Sequence, residues 1–492
     1  MTARAGLMWV LLVSVAPAAD GRLAARKACA MCHVFPEPEL LDRESWRVGV
    51  LPRMGGLLGV TEVIDEGAPE GTYPEVPLVT VEEWEAIEAY YLAAAPEALP
   101  VAGRVEAGGL GGWFEVERVG RGGGAATTAL AVDEEGQVIV VGDAGGKRLV
   151  IYSEDLEVVD TIGLGGVPVE VRVEGRRRYL VTVIGAEVGP NHRAEGKVVR
   201  VEGGGVPRLL ADGLARPVSA VTGDWNGDGS EDLVVCCFGF ARGGLKLLSS
   251  GKADGAGGRV GDAGAGRFAM RLVDQPGAMA FAKDSGLLLM AQGDERVVRV
   301  GQIGRLTGVE ETTVLRFPPS YGSSSMTEAD LDRDGDVDLV ITAGDNGDET
   351  PVFKPYHGVY VYENDGDGGY GEVAFIPMHG AYGSVAGDFD GDGDLDLGAV
   401  AYFADYAAGD AGFVVLENEG KWRFRARTVV GAGRLGRFAV VAAGDVDGDD
   451  DVDVVLGNFP GGPTGPGEIG RGLMEGWMAG GSITVLRNLS ED

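Results

Sequence analysis

Four segments of the chain carry the same short pattern of aspartates, and this repeat constrains the fold more than any other feature. The segments are GDWNGDGSEDLVV, ADLDRDGDVDLVI, GDFDGDGDLDLGA and GDVDGDDDVDVVL. In each, oxygen-bearing side chains occupy loop positions 1, 3, 5 and 9, glycine mostly occupies position 6, and an apolar run follows. A hard cation such as calcium prefers carboxylates and a backbone carbonyl presented by a tight turn. The pattern therefore predicts four calcium loops, each leading into a β-strand.

One calcium ion is expected in each of these loops. The predicted ligands are Asp224, Asn226, Asp228 and Asp232; Asp330, Asp332, Asp334 and Asp338; Asp388, Asp390, Asp392 and Asp396; and Asp445, Asp447, Asp449 and Asp453. An EF-hand does not fit, because position 12 carries no glutamate and a strand follows where a helix would be needed. Acidic turns without a metal do not explain the same spacing four times. In the last loop Asp450 replaces the usual glycine, which strains that turn.

The spacing of the loops predicts repeated units of one size. Asp330, Asp388 and Asp445 are separated by 58 and 57 residues, whereas Asp224 and Asp330 are separated by 106. A copy without metal ligands, PGAMAFAKDSGLLLMAQ, lies in the longer gap, and two more, TTALAVDEEGQVIVVG and PVEVRVEGRRRYLVTV, precede the first loop. Seven units with four strands each predict an all-β, seven-bladed β-propeller.

The ends of this region predict how the ring closes. The seventh unit ends at SITVLRNLSED, which supplies a third strand but no fourth, while GWFEVERVG resembles an outer strand and has no unit of its own. We expect residues 112–120 to complete the last blade, so that no strand edge stays exposed. The predicted propeller therefore spans 112–492 and follows a linker at 101–111.

A different motif, Cys29-Ala-Met-Cys32-His33, lies near the N-terminus. The pattern C-x-x-C-H is the attachment signal of a c-type haem. Cys29 and Cys32 are the predicted thioether residues and His33 is the predicted proximal iron ligand. A zinc site would need further cysteine or histidine nearby, and the next ones are His192 and Cys236. A thioredoxin-like redox motif would need a βαβ context that the sequence lacks. We therefore predict one covalent haem c.

Residues 20–100 are predicted to form the domain that holds this haem. Residues 20–33 predict a first helix, and TVEEWEAIEAYYLAAAP predicts a later one, opened by a capping box of Thr80 and Glu83 and ended by Pro96. Met54 is the candidate sixth iron ligand, because it is the only Met, His or Lys within 34–100 and its segment is expected to be irregular. The alternative is that Met54 belongs to the core and the iron is five-coordinate.

The first residues have the features of a secretory signal. A basic start containing Arg4 precedes the apolar run GLMWVLLVSV, which is too short to span a bilayer, and then APAAD. We expect residues 1–19 to be removed, leaving no membrane anchor, and a periplasmic or extracellular location in a bacterium. The formal net charge of -34 disfavours nucleic acid and anionic lipid as partners.

The aspartate repeats resemble the FG-GAP/VCBS family, which includes integrin α-subunit propellers and many secreted bacterial proteins. The stretches PYHGVYVYENDGDG and PMHGAYGSVAGDFDGDGDLDL resemble the central repeats of a bacterial subgroup in which such a propeller follows a mono-haem cytochrome. The N-terminal part resembles the small all-α class I cytochromes c. These resemblances imply the propeller fold, calcium and haem, but no reaction.

A ligand site is expected on the propeller face opposite the calcium turns, because long loops on a rigid scaffold often carry binding residues. This candidate ligand face contains Tyr321, Tyr356, His357, His379, Tyr382, Arg434, Arg437 and Trp477. The alternative is that these residues pack the loops together. Cys236 and Cys237 are expected to be two packed thiols on opposite faces of one strand, with a vicinal disulfide as the second choice.

The sequence leaves three functions open. The first is an electron-transfer cytochrome whose propeller docks a redox partner protein, a cell-surface protein or a polysaccharide. The second is a propeller dehydrogenase that passes substrate electrons to the attached haem, although the repeat signatures of the pyrroloquinoline quinone enzymes are absent. The third is an adhesion or structural module, which the cost of dedicated haem attachment disfavours. We expect an electron carrier or binding protein rather than a stand-alone enzyme.

Overall fold

A computed structural model of the chain describes residues 18–489 except 64, 120–124, 226–228, 241–242, 249–269, 272–277, 283–286, 292–294, 305–307, 348–349, 408, 410–411 and 468. The predicted signal peptide therefore lies outside the described residues, apart from Ala18 and Ala19 at the start of the first helix. Among the described residues, no helix is both long and apolar enough to cross a membrane.

Residues 18–100 form a small helical unit. Its α-helices are α1 Ala18–Cys29, α2 Arg43–Ser45, α3 Leu51–Leu57 and α4 Val81–Ala94, with a 3-10 turn at Pro38–Leu40 and a π-helical turn at Trp46–Val50. The predicted capping box opens α4: Glu83 N–H donates to Thr80 Oγ1 over 3.1 Å, and Thr80 N–H donates to the Glu83 carboxylate over 2.9 Å. These two bonds satisfy donors that a helix start otherwise leaves free.

The core of the helical unit forms where α1 crosses α4. Ala25 and Ala28 of α1 pack with Trp84, Ile87 and Tyr91 of α4, and the Tyr91 ring contacts the ring of Trp46 in a tilted arrangement, with ring centres 4.3 Å apart. These helices are short apart from α1 and α4, and they do not by themselves identify a cytochrome c domain.

The rest of the chain is a seven-bladed β-propeller, as the repeat spacing predicts. Two strands precede the first complete blade: β1 Gly108–Gly109 and β2 Phe114–Val119. Blade 1 contains β3 Thr127–Asp133, β4 Val138–Asp143, β5 Arg148–Ser153 and β6 Val158–Gly163. Blade 2 contains β7 Pro168–Gly175, β8 Arg178–Val183, β9 Gly196–Glu202 and β10 Arg208–Leu214. Blade 3 contains β11 Pro217–Gly223, β12 Asp232–Cys237, β13 Gly244–Leu248 and β14 Met270–Arg271. Blade 4 contains β15 Ala278–Ala282, β16 Leu287–Ala291, β17 Arg296–Gly304 and β18 Gly308–Arg316.

The last three blades carry the aspartate loops of the C-terminal half. Blade 5 contains β19 Ser323–Ala329, β20 Asp338–Ala343, β21 Gly358–Asn364 and β22 Tyr370–Pro377. Blade 6 contains β23 Ala381–Gly387, β24 Asp396–Ala401, β25 Phe413–Asn418 and β26 Phe424–Thr428. Blade 7 contains β27 Phe438–Gly444, β28 Asp453–Asn458 and β29 Ile483–Asn488, with two helices nearby, α5 Ala432–Leu435 and α6 Arg471–Ala479.

The N-terminal strand β2 is the outer strand of blade 7. It pairs antiparallel with β29, from Phe114 opposite Asn488 to Val119 opposite Ile483. Just before it, β1 adds a short parallel pairing to the outer strand β26 of blade 6. The chain thus leaves the helical unit along the edge of blade 6 and closes the ring in blade 7, which covers the edge of β29.

Apolar side chains of neighbouring blades pack face to face and form the core. Between blades 5 and 6, for example, Val340 and Val361 contact Leu397 and Ala399, all of them fully buried. The turns between first and second strands lie at one end of this packed ring and the loops between second and third strands lie at the other. The aspartate loops and the candidate ligand face therefore occupy opposite faces.

Candidate functional site

Three of the aspartate loops bring their carboxylates together. Oxygens of the aspartates at loop positions 1, 3 and 9 lie within 4.8 Å of one another in each of them. The groups are Asp330, Asp332 and Asp338 in blade 5; Asp388, Asp390 and Asp396 in blade 6; and Asp445, Asp447 and Asp453 in blade 7. The aspartates at position 5, which are Asp334, Asp392 and Asp449, do not belong to these groups. Each of them instead accepts a bond from the backbone N–H two residues later.

Position 6 gives each loop its sharp turn. The φ angles there are +97° at Gly335, +87° at Gly393 and +72° at Asp450. At all three positions the backbone N–H donates to the carboxylate at position 1, over 3.1 Å, 2.8 Å and 3.3 Å respectively. Glycine adopts this left-handed conformation without cost, whereas an L-residue with a side chain is penalised by about 1 kcal/mol. The blade 7 loop is therefore the strained one, as its sequence predicts.

The aspartates at position 9 connect the loop to the third strand of the blade. Asp396 is buried and accepts from Phe389 N–H over 3.2 Å and from Asn418 N–H over 2.7 Å. Burial and the neighbouring carboxylates raise its pKa to about 7. The same causes raise the pKa of Asp338 and of Asp453 to about 6. Carboxyl groups held this way favour either a proton or a cation at neutral pH.

An asparagine at the end of the third strand completes the loops of blades 5, 6 and 7, and the sequence reasoning missed it. The residues are Asn364, Asn418 and Asn488, whose N–H groups donate to the position-9 aspartates over 2.7 to 2.9 Å. The amide of Asn418 also reaches back to the carbonyl of Leu331 in blade 5, over 3.0 Å. The signal was present in the sequence, because VYVYEN, FVVLEN and ITVLRN end alike when the repeats are aligned.

The first loop, in blade 3, is described only in part. Its predicted ligands Asn226 and Asp228 lie outside the described residues. Gly229 has φ of +78° and its N–H donates to Asp224 over 2.8 Å, which is the same turn as in blades 5 and 6. Asp232 is buried at the start of β12, where the other loops carry their position-9 aspartate.

The carboxylate groups fit a calcium ion by their charge and by their unpaired atoms. Asp330 Oδ1 and Asp447 Oδ1 are buried and have no hydrogen-bond partner among the described residues. Buried polar atoms are nearly always paired, and like charges this close repel each other unless a cation or proton lies between them. Oxygen ligands of this kind suit a hard divalent cation.

The C-x-x-C-H motif begins where α1 ends. The helix stops at Cys29, so that Cys32 and His33 lie in the following turn rather than in the helix predicted through residue 33. Cys29 is partly buried, Cys32 is exposed, and neither forms a disulfide. His33 Nδ1 lies 2.9 Å from the carbonyl oxygen of Val34, which leaves Nε2 as the ring nitrogen free to bind a metal.

The residues around the motif fit a haem in part. Tyr91 donates to the carbonyl of Pro36 over 2.8 Å, and its hydroxyl lies 3.8 Å from Cys29 Sγ. Several apolar side chains of the helical unit are exposed, among them Met31, Leu57 and Leu78. An apolar porphyrin suits such a surface, and two thiols with a free imidazole nitrogen form the donor set of haem c.

The setting of Met54 differs from the expected one. The segment Pro52–Gly55 is helical, inside α3, and not irregular. Pro52 directly follows the π-helical turn Trp46–Val50, where the regular α-helical hydrogen-bond pattern is interrupted, and this interruption accommodates the missing N–H. Met54 is half-buried against the core of the helical unit. This position agrees with the core alternative, and the role of Met54 as an iron ligand stays a prediction.

The helical unit contacts the propeller face that carries the loops between second and third strands. Tyr356 of blade 5 donates its hydroxyl to the carbonyl of Leu40 over 2.8 Å. Asp65 of the helical unit pairs with His192 of blade 2 over 2.8 Å, and both side chains are largely buried. Val352 packs against the core of the helical unit. The helical unit is therefore held against the face where the ligand site was predicted.

That candidate ligand face needs correction at two residues. Arg437 and Trp477 are fully buried and hold loops together. Arg437 Nε donates to the carbonyl of Tyr402 over 3.0 Å and its guanidinium lies 3.7 Å from the Tyr402 ring centre, while Trp477 Nε1 donates to Gly433 over 2.9 Å. Neither side chain is accessible to a ligand. Arg434, in contrast, is exposed on α5.

The remaining residues of the face lie in two aromatic groups. Tyr356 stacks on Tyr321 at 4.7 Å, and Tyr382 contacts the ring of Tyr402 at 5.4 Å. His379 is half-buried and lies 4.7 Å from the ring of Phe353.

His357 is the most unusual residue of this face. It is 2% exposed, and its Nε2 has no hydrogen-bond partner among the described residues. Burial, and then the charge of the buried Lys354, lower its pKa well below the usual value. The imidazole is therefore neutral at physiological pH, and one of its nitrogens is available to a buried ligand or water molecule.

Cys236 and Cys237 are free thiols on β12, both fully buried. Their side chains enter different cores, because successive residues of a strand point to opposite faces. Burial raises the pKa of Cys236 well above its usual value and that of Cys237 to about 12. Two inert packed thiols match the first expectation for this pair.

Residues 330–399 match the FG-GAP-like repeat family. The match contains the aspartate loops of blades 5 and 6 and does not extend to the helical unit. A search of curated proteins finds no match to the sequence.

Several solved structures are similar to the chain, with low TM-scores and low sequence identity. A luciferin-regenerating enzyme has a TM-score of 0.38 and 8% identity over 76% of this chain and 96% of its own. XC5397 from Xanthomonas campestris, described as a gluconolactonase, has a TM-score of 0.38 and 11% identity over 77% of this chain and 90% of its own. The N-terminal domain of Nup159 has a TM-score of 0.42 and 11% identity over 78% of this chain and 97% of its own. Similarity at this level carries no argument about what this chain does.

Proposed function

We propose that the protein is an exported mono-haem c-type cytochrome whose helical unit transfers electrons while the propeller docks a partner. The observation that carries the proposal is the C-x-x-C-H motif at the end of α1, with two free thiols and a histidine whose Nδ1 is already engaged by Val34. Cys29 and Cys32 would hold the haem covalently and His33 Nε2 would bind its iron. The haem, when bound, supplies one-electron chemistry.

The contacts of the helical unit support a fixed position on the propeller rather than free movement. Val352 and Tyr356 contact it from one loop of blade 5, and His192 contacts it from a loop of blade 2. A haem held over one face would come close to whatever binds there. The docking partner would be a redox partner protein, a cell-surface protein or a polysaccharide, in the periplasm or outside the cell.

Calcium would stabilise the propeller from its opposite face. The three converging carboxylate groups in blades 5, 6 and 7 support this role, together with the unpaired Asp330 Oδ1 and Asp447 Oδ1. Each ion would tie the first two strands of a blade to the end of the third through the position-9 aspartate. The role is structural, because the loops lie away from the helical unit.

The electron-transfer proposal is tested with the full exported chain carrying its haem. After oxidation, the protein is mixed with a reduced small cytochrome or a copper electron carrier, and haem absorption is followed in time. Rapid reduction that slows with increasing salt is expected, because the acidic surface would steer a cationic partner. Reduction that is equally slow at all salt concentrations would contradict a docking role.

A propeller dehydrogenase is the second candidate, and one observation favours it. His357 Nε2 and the side-chain amide of Asn346 are buried and have no partner among the described residues, and both lie on the loop that contacts the helical unit. Unpaired buried polar groups often belong to ligand sites.

To test the dehydrogenase, the oxidised protein is offered sugars, alcohols and oligosaccharides. Haem reduction by a defined substrate, lost in His357→Ala, would support the enzyme. Persistent oxidation together with polysaccharide binding would support the docking module.

A further inference from the structure

The calcium loop of blade 7 differs from those of blades 5 and 6 by a charge that the protein itself supplies. Arg487 Nη1 donates to Asp447 Oδ2, the carboxylate at position 3 of the loop, over 2.7 Å. In blades 5 and 6 the carboxylates at positions 1, 3 and 9 receive bonds from backbone N–H groups, and no guanidinium among the described residues donates to them.

The difference arises from a reversed ion pair between the third and fourth strands. In blade 6, Glu417 lies on the third strand and pairs with Arg427 on the fourth over 2.5 Å. In blade 7, Arg487 lies on the third strand and pairs with Glu117 on the fourth, closing strand over 2.7 Å. The third strand borders the aspartate loop. In blade 7 the reversal therefore places the guanidinium of Arg487 next to the loop carboxylates, and the carboxylate of Glu117 lies on the outer strand, farther from the loop.

The surroundings hold the guanidinium in place. Arg487 also donates to the carbonyl of Glu154 in blade 1 and is only 14% exposed. It lies in a surface depression lined by Glu117, Glu154, Asp155 and Asp447. Arg487 therefore connects the closing strand, the last loop and the first blade at the point where the ring joins.

We propose that the blade 7 loop carries its own cation, the guanidinium of Arg487, and binds calcium more weakly than the loops of blades 5 and 6. This inference rests on the proposed calcium role of the loops. A calcium ion at this site would have to displace the guanidinium from Asp447 or bind beside a fixed positive charge. The strained turn at Asp450, with its longer 3.3 Å bond to Asp445, acts in the same direction.

The expected difference in dissociation constant is about ten- to a hundredfold, the range that hydrogen bonds to a charged group provide. Arg487 is a positioning residue for the ring joint and sets the affinity of the adjacent loop. Blade 7 would thus keep its closure when calcium is scarce, while blades 5 and 6 would lose their cations.

Two charge-swapped variants of the full chain test the inference. Arg487→Glu with Glu117→Arg keeps an ion pair between the strands but gives blade 7 the arrangement of blade 6. Glu417→Arg with Arg427→Glu gives blade 6 the arrangement of blade 7. Bound calcium per chain is measured by atomic emission after equilibrium dialysis against a series of free calcium concentrations, and circular dichroism reports folding.

At low free calcium the blade 7 swap should retain one more ion than the unchanged protein, and the blade 6 swap should retain one fewer. Unchanged binding curves in both folded variants would overturn the inference and leave the calcium role intact. An absence of bound calcium in every protein would instead overturn the calcium role on which the inference rests. Since the blade 6 pair lies outside the ring joint, that variant decides the question even if the blade 7 swap does not fold.

Discussion

Blades 1 and 2 hold their strands together with hydrogen bonds and ion pairs between side chains, whereas blades 5 and 6 gather carboxylates to which no guanidinium among the described residues donates a hydrogen bond. In blade 1 the buried Asp133 accepts from Gly136 N–H over 2.9 Å, from Arg177 N–H over 2.8 Å and from the Tyr179 hydroxyl over 2.9 Å. All of its partners belong to the protein. In blades 5 and 6, by contrast, three carboxylates face one another at each loop.

Blade 2 uses a buried arginine for the same purpose. Arg200 binds both oxygens of Glu174 and also reaches Glu231 of blade 3 over 2.9 Å. Blade 7 combines features of both groups of blades, because Arg487 donates to a carboxylate of a loop that has the same aspartates as the loops of blades 5 and 6. One architecture can therefore be held by internal cations or, as we propose, by calcium from solution. Dependence on calcium is then a property of individual blades.

Of the changes considered, removal of calcium should lower the stability of the protein the most. Each ion present at a hundred times its dissociation constant adds about 2.7 kcal/mol to the free energy of unfolding. Two such ions in blades 5 and 6 would therefore contribute about 5 kcal/mol. Thermal unfolding followed by circular dichroism should show a clearly lower midpoint in a calcium chelator, and magnesium should not restore it, because magnesium gives up its water reluctantly. Equal midpoints in calcium and chelator would remove the distinction between the blades.

Matched substitutions in blades 1 and 6 should distinguish a carboxylate that is paired with groups of the protein from one that is paired with calcium. Asp133→Asn weakens a buried charge-assisted acceptor and should lower the free energy of unfolding by about 1–3 kcal/mol, equally with calcium and with chelator. Asp390→Asn should cost stability only when calcium is present, because without the ion it relieves repulsion. Denaturant unfolding of both variants in both buffers provides the measurement. A cost of Asp390→Asn that persists in chelator would mean that blade 6 is held as blade 1 is.

A change of pH should alter the stabilisation by calcium, with a smaller effect than the removal of calcium. The pKa of Asp396 is raised to about 7 and those of Asp338 and Asp453 to about 6, above the ordinary value of about 3.9 in an unfolded chain. Without calcium the folded protein binds more protons than the unfolded chain, so this contribution to stability is present at low pH and is lost as pH rises through 6 to 7. The stabilisation by added calcium should therefore be smaller at pH 5 than at pH 7.5, as midpoints in calcium and chelator at both values would show. A calcium effect independent of pH would contradict carboxylates as the ligands.

Repetition explains why the propeller was predictable from sequence. Asp330, Asp388 and Asp445 mark one unit length, and the strand pattern between them recurs without the spaced set of aspartates in blades 1, 2 and 4. The capping box of Thr80 and Glu83 was predictable for a related reason, since it depends on contacts within a few residues. The capping box is a local feature, and the propeller is a local feature that is repeated along the chain.

The rest depends on contacts between residues distant in sequence. Pro52 indicated an irregular segment, yet the segment is helical, because the π-helical turn Trp46–Val50 just before it interrupts the regular hydrogen-bond pattern and accommodates the proline. Arg437 resembled a ligand residue by its loop position, but carbonyls of the neighbouring loops enclose it. The partner of Arg487 on the closing strand lies 370 residues away along the chain. Sequence spacing gives no indication of such pairs.

Covalent haem is the central claim, and a haem stain on a denaturing gel tests it most directly. The full chain is exported from a bacterium that attaches c-type haem, beside a Cys29→Ala, Cys32→Ala variant made in the same way, and the absorption spectrum gives the haem content. We predict one haem per chain that survives denaturation in the unchanged protein and is absent from the double variant. An unchanged protein without covalent haem, or a double variant that retains it, would contradict the account.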